Sequence, residues 1–447
     1  MAQNFRRSVA QHREEIVRIF ASVLERRQGH STELVSVYDA AARRTAEPTV
    51  APRSLPAFDN SQMDGYAVRR ADFGGQAQQF RLAPVIPAGA APVALRPGLA
   101  APIMTGAMMP DGADAVVPIE AVVAAAGEPA DVFPDFSNDE YLERYSVTLP
   151  KPPLGQFVRR AGSDVASGTL VIEAGTTLTP RHVGLLAALG VSEVSVERSP
   201  QILVLVTGDE VRSPGEELLP GQIYDSNSAY LVSSLREIGI DPVRVSISTD
   251  TVTDFEQRLD EALNKHPHAI AVITTGGISK GAFEVVKVAL EQRGVEFGSV
   301  ATQPGGPQGC GVLESGQREE AQHPVALVSF PGNPVSTAIS YEMFVRPILV
   351  KLFGSNKHVA PRTLTEAVLI LDGAGQSVSS PSNKSQWRRG IVSTDSATGQ
   401  RHVSLIGSEQ SHLVFALAQA NALVNIPEGV DIAHHGDVLK VLMLEEG

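Results

Sequence analysis

The sequence predicts a multidomain α/β plus β protein, in which a central parallel α/β domain is joined to small β domains. Strand-like and helix-like segments alternate between residues 201 and 350, and such alternation is typical of parallel sheets covered by helices. The regions 51–125 and 354–447 instead carry short apolar runs broken by polar turns, as small β domains do. With 447 residues the chain exceeds what one hydrophobic core supports. Several domains are therefore expected.

Two further helices are predicted outside these regions. Residues 8–27 place apolar side chains at helical spacing among Arg and Glu, which predicts an amphipathic helix. A second helix is expected to start at Thr179 and Pro180 and to stop at Gly190, and this piece is expected to pair with the first helix. The acidic stretch 126–153 is predicted to be a surface excursion. The expected domains are a helical linker domain at 1–50 and 154–199, an inserted β domain at 51–153, an α/β domain at 200–353 and a β-barrel-like domain at 354–447.

Charge and composition exclude several classes of protein. A formal net charge of −13 argues against nucleic-acid binding, which needs a basic face. The single cysteine, Cys310, excludes an internal disulfide framework and a multi-cysteine metal site, and it fits a reducing cytoplasm. No apolar run approaches the length of a membrane span, so membrane insertion is not expected. The adjacent His434 and His435 fit an exposed turn, and neither they nor Cys310 is given a functional role.

The first candidate site is the turn TGDE at 207–210, which follows the strand ILVLV. The string GQIYDSN at 221–227 then opens a helix. N–H groups in a Gly turn and at a helix N-terminus attract anions, and the two carboxylates of the turn suit a divalent cation. An ordinary turn with an Asn or Ser helix cap explains the same residues about equally well.

Two further turns follow strands of the same α/β stretch. TTGGIS at 274–279 carries a Gly pair that lets a ligand approach the main chain, and SFPGNPVS at 329–336 is fixed by two prolines. Each turn alone is equally typical of an ordinary connection. Ligands of open α/β sheets bind at the carboxyl ends of the strands, so three such turns together favour a binding crevice there.

Seven strings occur in one order along the chain: FDNSQMDGYAV (58–68), IMTGA (103–107), RRAGSDV (159–165), TGDE, GQIYDSN, TGGIS and FPGNPVS. Together they resemble the molybdopterin molybdenumtransferase family, which includes bacterial MoeA and the E domain of gephyrin. The resemblance covers nearly the whole chain. It implies an elongated homodimer, held partly by the helical linker domain, in which an intersubunit crevice joins the α/β domain of one subunit to the small β domain of the other.

The resemblance also implies an activity and its residues. Family members insert molybdate into adenylylated molybdopterin with Mg²⁺ and release AMP and molybdenum cofactor. The implied catalytic residues are Asp64, Thr105, Asp164, Glu210 and Asp250. The implied metal ligands are Glu210, Asp209 and Glu284. The implied cofactor-binding residues are Gly208, Asp225, Ser226, Asn227, Gly276, Gly277, Ser279, Pro331, Gly332, Asn333, Pro334, Arg389 and Ser411.

One string departs from the family pattern. The family's Lys-Pro-Gly-Lys-Pro reads Gln303-Pro304-Gly305-Gly306-Pro307 here, so Gln303 and Gly306 replace the two lysines. An anion in a closed crevice needs a positively charged partner. Other basic residues that would supply that charge are Arg159, Arg160, Lys280, Lys287 and Arg389.

The missing lysines and the acidic stretch 126–153 keep a second hypothesis open. It is a gephyrin-like dimeric scaffold with reduced or no catalysis, which binds a peptide of a cytoskeletal (cell-division) protein or of a membrane receptor. A nucleotide-binding oxidoreductase is excluded, because no strand is followed by a Gly-x-Gly-x-x-Gly string.

Overall fold

The computed structural model describes residues 5–27, 32–122, 133–208, 210–249, 251–278, 285–315, 323–353, 360–372 and 376–445. The chain divides into two compact units. The large unit comprises Met1–Ser31 and Arg198–Gly447, and the small unit comprises Thr32–Glu197. The expected grouping of 1–50 with 154–199 does not hold for the first helix, which belongs to the large unit. It agrees with the pairing of Thr32–Ser36 with Glu193–Glu197 and of Thr49–Val50 with Leu170–Ile172 in the small unit.

A seven-stranded sheet covered by helices forms the centre of the large unit. In chain order its elements are β1 (Phe5–Arg7), α1 (Val9–Arg26), β2 (Gln201–Thr207), α2 (Ser226–Glu237), β3 (Asp241–Ile247), α3 (Val252–Lys265), β4 (Ala269–Thr275), α4 (Val285–Gln292), β5 (Glu296–Val300), β6 (Pro307–Ser315), β7 (His323–Phe330), α5 (Pro334–Ser340) and α6 (Arg346–Phe353). A π-helical turn, Tyr341–Val345, connects the last two helices.

The sheet has the order β1-β5-β6-β7-β4-β2-β3 and is mixed rather than wholly parallel. Strand β6 runs antiparallel to both of its neighbours, while the other neighbouring strands are parallel. The reason is the short connection before it: residues 301–306 contain only the two-residue strand Thr302–Gln303, whereas two parallel strands need a long crossover. The prediction of an all-parallel sheet is corrected at this strand.

Successive side chains of each strand point to opposite faces of the sheet and pack into two cores, one on each face. Ile202 and Val204 of β2 belong to the core that also contains residues of α1 and α2. Leu203 and Leu205 belong to the core that contains residues of α3 and α4. Both faces of the sheet are therefore buried, as the apolar composition of its strands predicts.

Helix α1 begins at Val9 because Ser8 and Gln11 form a capping box at its N-terminus. Its apolar stripe, including Ile16, Phe20 and Val23, is buried in the first core of the sheet. The expected pairing of this helix with the segment 154–199 is wrong, because the stripe is already covered by the large unit.

The C-terminal part of the large unit contains a β-barrel, as the sequence predicts. Its sheet is formed by Thr302–Gln303, Leu364–Ile370, Ser385–Thr394, Arg401–Leu405, Ala422–Ile426 and Val438–Met443. The pairing of Ser385–Thr394 with Ala422–Ile426 closes the barrel. The remaining elements of the large unit are the strand pairs Val211–Arg212 with Ile223–Tyr224 and Ser377–Ser379 with Ile432–His434, and the helix Val414–Gln419.

The small unit is built around a five-stranded sheet. Its strands are Gly65–Val68, Ala77–Leu82, Leu99–Ile103, Ala115–Pro118 and Ser146–Pro150. The paired strands beside it are Thr32–Ser36 with Glu193–Glu197, Thr49–Val50 with Leu170–Ile172, and Asn60–Ser61 with Val158–Arg159. Its helices are Tyr141–Arg144 and Pro180–Ala188, with 3₁₀ turns at Val37–Asp39, Arg70–Asp72 and Ile119–Ala121.

Two expectations for the small unit have different outcomes. The helix predicted at Thr179 starts there with a capping box, and Gly190 follows its end at φ +76°. The predicted surface excursion is wrong for its second half, because Tyr141 and Leu149 are buried in the β core and Ser146–Pro150 pairs with Ala77–Leu82. Residues 123–132 lie outside the described residues. Every helix that the structure describes is too short or too polar to span a membrane.

Candidate active site

Strand β2 lies between β3 and β4, so the connections that follow these strands lead to opposite sides of the carboxyl end of β2. The chain passes from β2 through α2 to β3 on one side, and it then returns through α3 to β4 on the other side. In open α/β sheets a crevice forms outside the strand ends at such a switch point. Gly208 and Glu210 follow this strand end directly.

The three predicted turns meet at this edge of the sheet. The Gly276 N–H donates to the Phe330 carbonyl oxygen at 3.2 Å. A Cβ placed on Gly332 would lie 3.3 Å from the Cα of Gly276, and a Cβ on Gly276 would lie 3.4 Å from the Thr207 carbonyl oxygen. Gly276 also has φ +89°, so both the backbone conformation and the close approach favour glycine. The structure thus brings the turns at 207, 276 and 332 into contact.

Asn227 links α2 to the third turn. Its Nδ2 donates to the Gly332 carbonyl oxygen at 2.8 Å. Its Oδ1 is buried and has no hydrogen-bond partner among the residues that the structure describes. Pro334 begins α5 at the far end of the same turn, with Asn333 as the N-cap residue. The Nδ2 group of Asn227 therefore fixes the third turn, while its Oδ1 atom remains an acceptor without a donor in the described part of the chain.

The carboxylate of Asp225 serves the fold. Asp225 is buried and caps α2, accepting a 2.9 Å hydrogen bond from the Ser228 N–H and another from the Ser228 hydroxyl. Arg244 pairs with the same carboxylate at 3.0 Å. With these partners the side chain positions the start of α2. Ser226 follows it as the first residue of the helix.

Glu210 is the one predicted metal ligand that lies within the described residues, and its side chain is exposed. Its carboxylate folds back over Gly208, whose φ is +130°; a Cβ at that glycine would lie 2.7 Å from Glu210 Oε2. Asp209, Asp250, Ser279, Lys280 and Glu284 lie outside the described residues. Within the remainder of the chain, no group of three or more His, Cys, Asp or Glu side chains is arranged to hold a metal ion.

The loop that lacks the family lysines is held by uncharged amides. It lies at the same edge as the three turns, because antiparallel β6 begins where β7 ends. The buried Gln308 donates to the Gly305 carbonyl oxygen at 2.7 Å and to the Ser340 hydroxyl at 2.8 Å. Gln386 donates to Gln303 Oε1 at 3.4 Å. These contacts fix the loop through neutral side chains.

The C-terminal part of the large unit contacts the third turn. The Ser411 carbonyl oxygen accepts from the Val335 N–H at 3.0 Å, which places Ser411 beside the third turn. Arg389 lies in the barrel strand Ser385–Thr394 and is fully buried. One of its Nη atoms donates to the Ser408 carbonyl oxygen, while Nε and the other Nη have no partner among the described residues. Burial lowers the pKa of Arg389, the adjacent Arg388 lowers it further, and Glu409 opposes both.

Arg388 is a residue that sequence reasoning missed. It is also nearly buried, it donates to the Gly407 carbonyl oxygen at 3.3 Å, and its Nε lacks a partner in the described part of the chain. Burial lowers its pKa as well. The available signal was the pair of adjacent arginines in the string QWRRG, because two charged residues in succession are unusual in a buried strand.

The predicted residues of the small unit form a separate hydrogen-bonded group. Asp64 Oδ1 accepts from the Thr105 N–H at 2.6 Å and from the Thr105 hydroxyl at 2.9 Å. Asp164 is exposed, on the turn that follows Arg160. Asp59 holds that turn through a 2.6 Å ion pair with Arg160 and a 2.8 Å hydrogen bond from the Ala161 N–H. The structure thus joins Asp64 to Thr105 within this unit.

Three family profiles match successive parts of the chain. The MoeA N-terminal region (domain I and II) matches residues 7–190, the probable molybdopterin binding domain matches 203–351, and the MoeA C-terminal region (domain IV) matches 373–444. A MoeA protein of known structure from Pyrococcus horikoshii, described as a molybdopterin biosynthesis protein, is 25% identical with a TM-score of 0.63. The match covers 98% of this chain and 99% of that one.

Two curated relatives show the same relationship. Molybdopterin molybdenumtransferase 2 of Mycobacterium tuberculosis is 40% identical over 404 residues, which cover 88% of this chain and 90% of that protein. Molybdopterin molybdenumtransferase of Haemophilus influenzae is 33% identical, with 88% and 89% covered.

The fold, the strand-end crevice and the flanking β domains define a protein of MoeA architecture. The chain belongs to the molybdopterin molybdenumtransferase family. These relatives are named as transferases, so they give no support to the scaffold hypothesis.

Proposed function

We propose that this protein is a molybdopterin molybdenumtransferase, which inserts molybdate into adenylylated molybdopterin and releases AMP. The observation that carries the proposal is the contact of three strand-end turns at the switch point of the sheet, with Asn227 hydrogen-bonded to Gly332 across them. The names of the relatives supply the reaction class.

The chemistry of the substrate matches this edge. Adenylylated molybdopterin is anionic through its phosphates, and main-chain N–H groups in glycine turns bind phosphate oxygens without a competing side chain. Gly276 and Gly277 both have positive φ. The Gly276 N–H is already bonded to Phe330, so Gly277 would supply such an N–H group to the ligand. Asn227 offers a buried amide oxygen to an N–H donor of the ligand. Arg389, a buried cation with two nitrogens that lack partners among the described residues, would supply positive charge in place of the absent family lysines.

Mg²⁺ would be held by Glu210, together with Asp209 and Glu284. The donor chemistry fits, because carboxylate oxygens are the ligands that Mg²⁺ prefers and the Glu210 side chain is exposed. When bound, the metal would neutralise phosphate charge and polarise the bond that is broken.

A homodimer is part of the proposal. Asp64 and Thr105 lie in the small unit and would complete the crevice of a second subunit, as the family resemblance implies. Exposed apolar side chains support association, since they are costly to leave in water. In the small unit, Leu34 is 68% and Tyr38 is 85% exposed.

The test is a single-turnover assay with purified protein, adenylylated molybdopterin, Mg²⁺ and molybdate, in which released AMP is measured by chromatography. AMP release that depends on molybdate is expected. Loss of the 2.8 Å hydrogen bond in Asn227→Ala should slow release about fivefold, the equivalent of about 1 kcal/mol. Asn264→Ala, at an exposed position on α3, should leave release unchanged. A protein that binds the adenylylated pterin and never releases AMP would contradict the proposal.

A further inference from the structure

A second cavity lies in the large unit, apart from the strand-end turns. Its volume is about 610 Å³, within the range of small-molecule sites. It is enclosed by α2, by the helix that continues from α5 through the π-helical turn, by the helix Val414–Gln419 and by the end of the barrel. The site described above does not use it.

One end of the cavity is lined by two carboxylates and two guanidinium groups. Arg362 bridges both acids, with Nε 3.2 Å from Glu342 Oε2 and Nη1 3.2 Å from Glu237 Oε1. The Tyr230 hydroxyl donates to Glu342 Oε1 at 3.3 Å. Arg346 completes the set, and Glu445 also lines the cavity, next to the Leu444 carbonyl oxygen that Arg362 contacts. The acids of the lining therefore outnumber its guanidinium groups by one.

The hydrogen-bond donors of Arg346 are nonetheless poorly matched by acceptors. It is 4% exposed, and its contacts are long: 3.3 Å to Glu237 and 3.5 Å to the Ala360 carbonyl oxygen. Its Nε has no hydrogen-bond partner among the described residues, with Glu342 Oε2 at 3.8 Å. A buried donor without an acceptor costs about 1–3 kcal/mol. This atom therefore calls for an acceptor that the described part of the protein does not provide.

The backbone at this point is also unusual. Glu342 lies in the π-helical turn Tyr341–Val345, and Arg346 follows it. Such turns are rare and occur frequently at functional sites. The π-helical turn thus lies where Glu342 and Arg346 line the charged end of the cavity.

The other end of the cavity is apolar, with Ile339, Leu417, Leu423 and Met443 in its wall. A ligand that fills it gains free energy by removing apolar surface from water. A ligand anion would add negative charge to a lining whose acids already outnumber its arginines, and burying it would cost several kcal/mol. A ligand cation such as an ammonium group would offer Arg346 no acceptor. We propose that this cavity binds an uncharged small molecule that has an apolar body and a carbonyl-type acceptor for Arg346.

The inference is independent of the transferase reaction, because its test measures binding and not turnover. The probe is N-cyclohexylacetamide, a neutral amide with an apolar ring, titrated into the full-length protein with methyl-labelled isoleucine. The Ile339 methyl signal should shift with one-site saturation at about millimolar concentration, as expected for a ligand of this size. Cyclohexylacetate has the same ring and a negative charge, and it should bind at least tenfold more weakly.

Matched variants locate the binding. Ala418 is exposed at the mouth of the cavity, and Gln419 beside it is exposed and does not line the cavity. Ala418→Phe should weaken binding at least tenfold, whereas Gln419→Phe should not change it. The unchanged methyl spectrum elsewhere would show that both variants are folded. The proposal is overturned if the Ile339 signal does not saturate, if both variants bind equally, or if cyclohexylacetate binds as tightly as the amide.

Discussion

Asp225 at the start of α2 and Arg389 in the barrel strand are both buried charged residues that the family resemblance implied as ligand contacts. Asp225 has its carboxylate fully engaged by Ser228 and Arg244. Arg389 has one carbonyl partner, and two of its nitrogens have none among the described residues. The same type of sequence evidence therefore applies to one residue whose charge is paired within the fold and to one whose guanidinium group keeps two nitrogens without a partner in the described part of the chain.

The energetic consequence of this difference is opposite for the two residues. Removing a satisfied buried charge leaves its partners unpaired, which costs stability. Removing a buried charge that lacks partners relieves a desolvation penalty and costs only the ligand that it would bind. Variants at the two positions should therefore separate stability from activity.

The largest effect is expected for Asp225→Ala. Arg244 and the helix start lose their partner, so the free energy of unfolding should fall by about 3–5 kcal/mol, measured by urea denaturation. Asp254→Ala removes an exposed ion pair with Arg258 and should change the same free energy by less than about 1 kcal/mol. Equal losses in the two variants would contradict the structural role of Asp225.

Arg389→Met should reverse that pattern. The kcat/KM of AMP release should fall about 100-fold, because charge-assisted hydrogen bonds to an anion are worth about 1.5–3 kcal/mol each. The free energy of unfolding should stay the same or rise. Arg401→Met, in the neighbouring barrel strand and exposed, is the matched control and should retain full activity. An active Arg389→Met protein would remove Arg389 from the binding site.

His12 is a third buried ionisable residue to set beside Asp225 and Arg389, and neither a partner nor a ligand is assigned to it. Both of its ring nitrogens lack hydrogen-bond partners among the described residues, and it packs against Phe5 and Phe344. Burial and, to a smaller extent, the charge of Arg7 lower its pKa to about 3, against the opposing effect of Glu15. Arginine cannot give up its proton in this way, whereas histidine can.

This lowered pKa predicts how stability depends on pH. Above pH 6.5 His12 is neutral in both states and contributes no dependence. As the pH falls from 6.5 towards 3, only the unfolded state takes up the proton. The unfolding free energy should then decrease by about 1.4 kcal/mol per pH unit on account of this residue. His12→Leu should remove that slope and the exposed His434→Leu should not; identical slopes would refute the assignment.

The smallest effect is expected from restoring charge to the neutral loop. A Cβ on Gly306 would lie 3.5 Å from the Thr302 carbonyl oxygen, which is ordinary contact. Gly306→Lys should therefore fold and lower the molybdate concentration for half-maximal AMP release about threefold, an effect below 1 kcal/mol. Gly305→Lys is the control, because Gly305 has φ +88° and a Cβ there would meet Ser340 at 3.0 Å. No change with Gly306→Lys would show that the loop does not face the anion.

The strand-end turns could be predicted because a topological rule places ligands at that edge, whatever the details of packing. The strands β1, β5 and β6 were missed. Phe5–Arg7 has three residues and Glu296–Val300 reads EFGSV, so neither has a clear apolar pattern. The helix α1 was predicted correctly, yet its partner was not, because an apolar stripe does not identify the surface that covers it.

The individual roles of the site residues were less predictable. Nothing in the string GQIYDSN distinguishes Asp225, which is buried and paired, from Asn227, which reaches across to Gly332. That distinction depends on Arg244, a residue of the next strand that meets Asp225 only after folding. Likewise, the burial of Arg389 follows from barrel closure, and its charge alone would have suggested a surface position.

The most direct test of the central claim is a crystal structure of the protein bound to adenylylated molybdopterin. The account predicts that its phosphates lie against the turns at Gly276–Gly277 and Pro331–Pro334, with an anionic oxygen within hydrogen-bonding distance of Arg389. Density for the ligand elsewhere, with these turns and Arg389 free of contact, would contradict it.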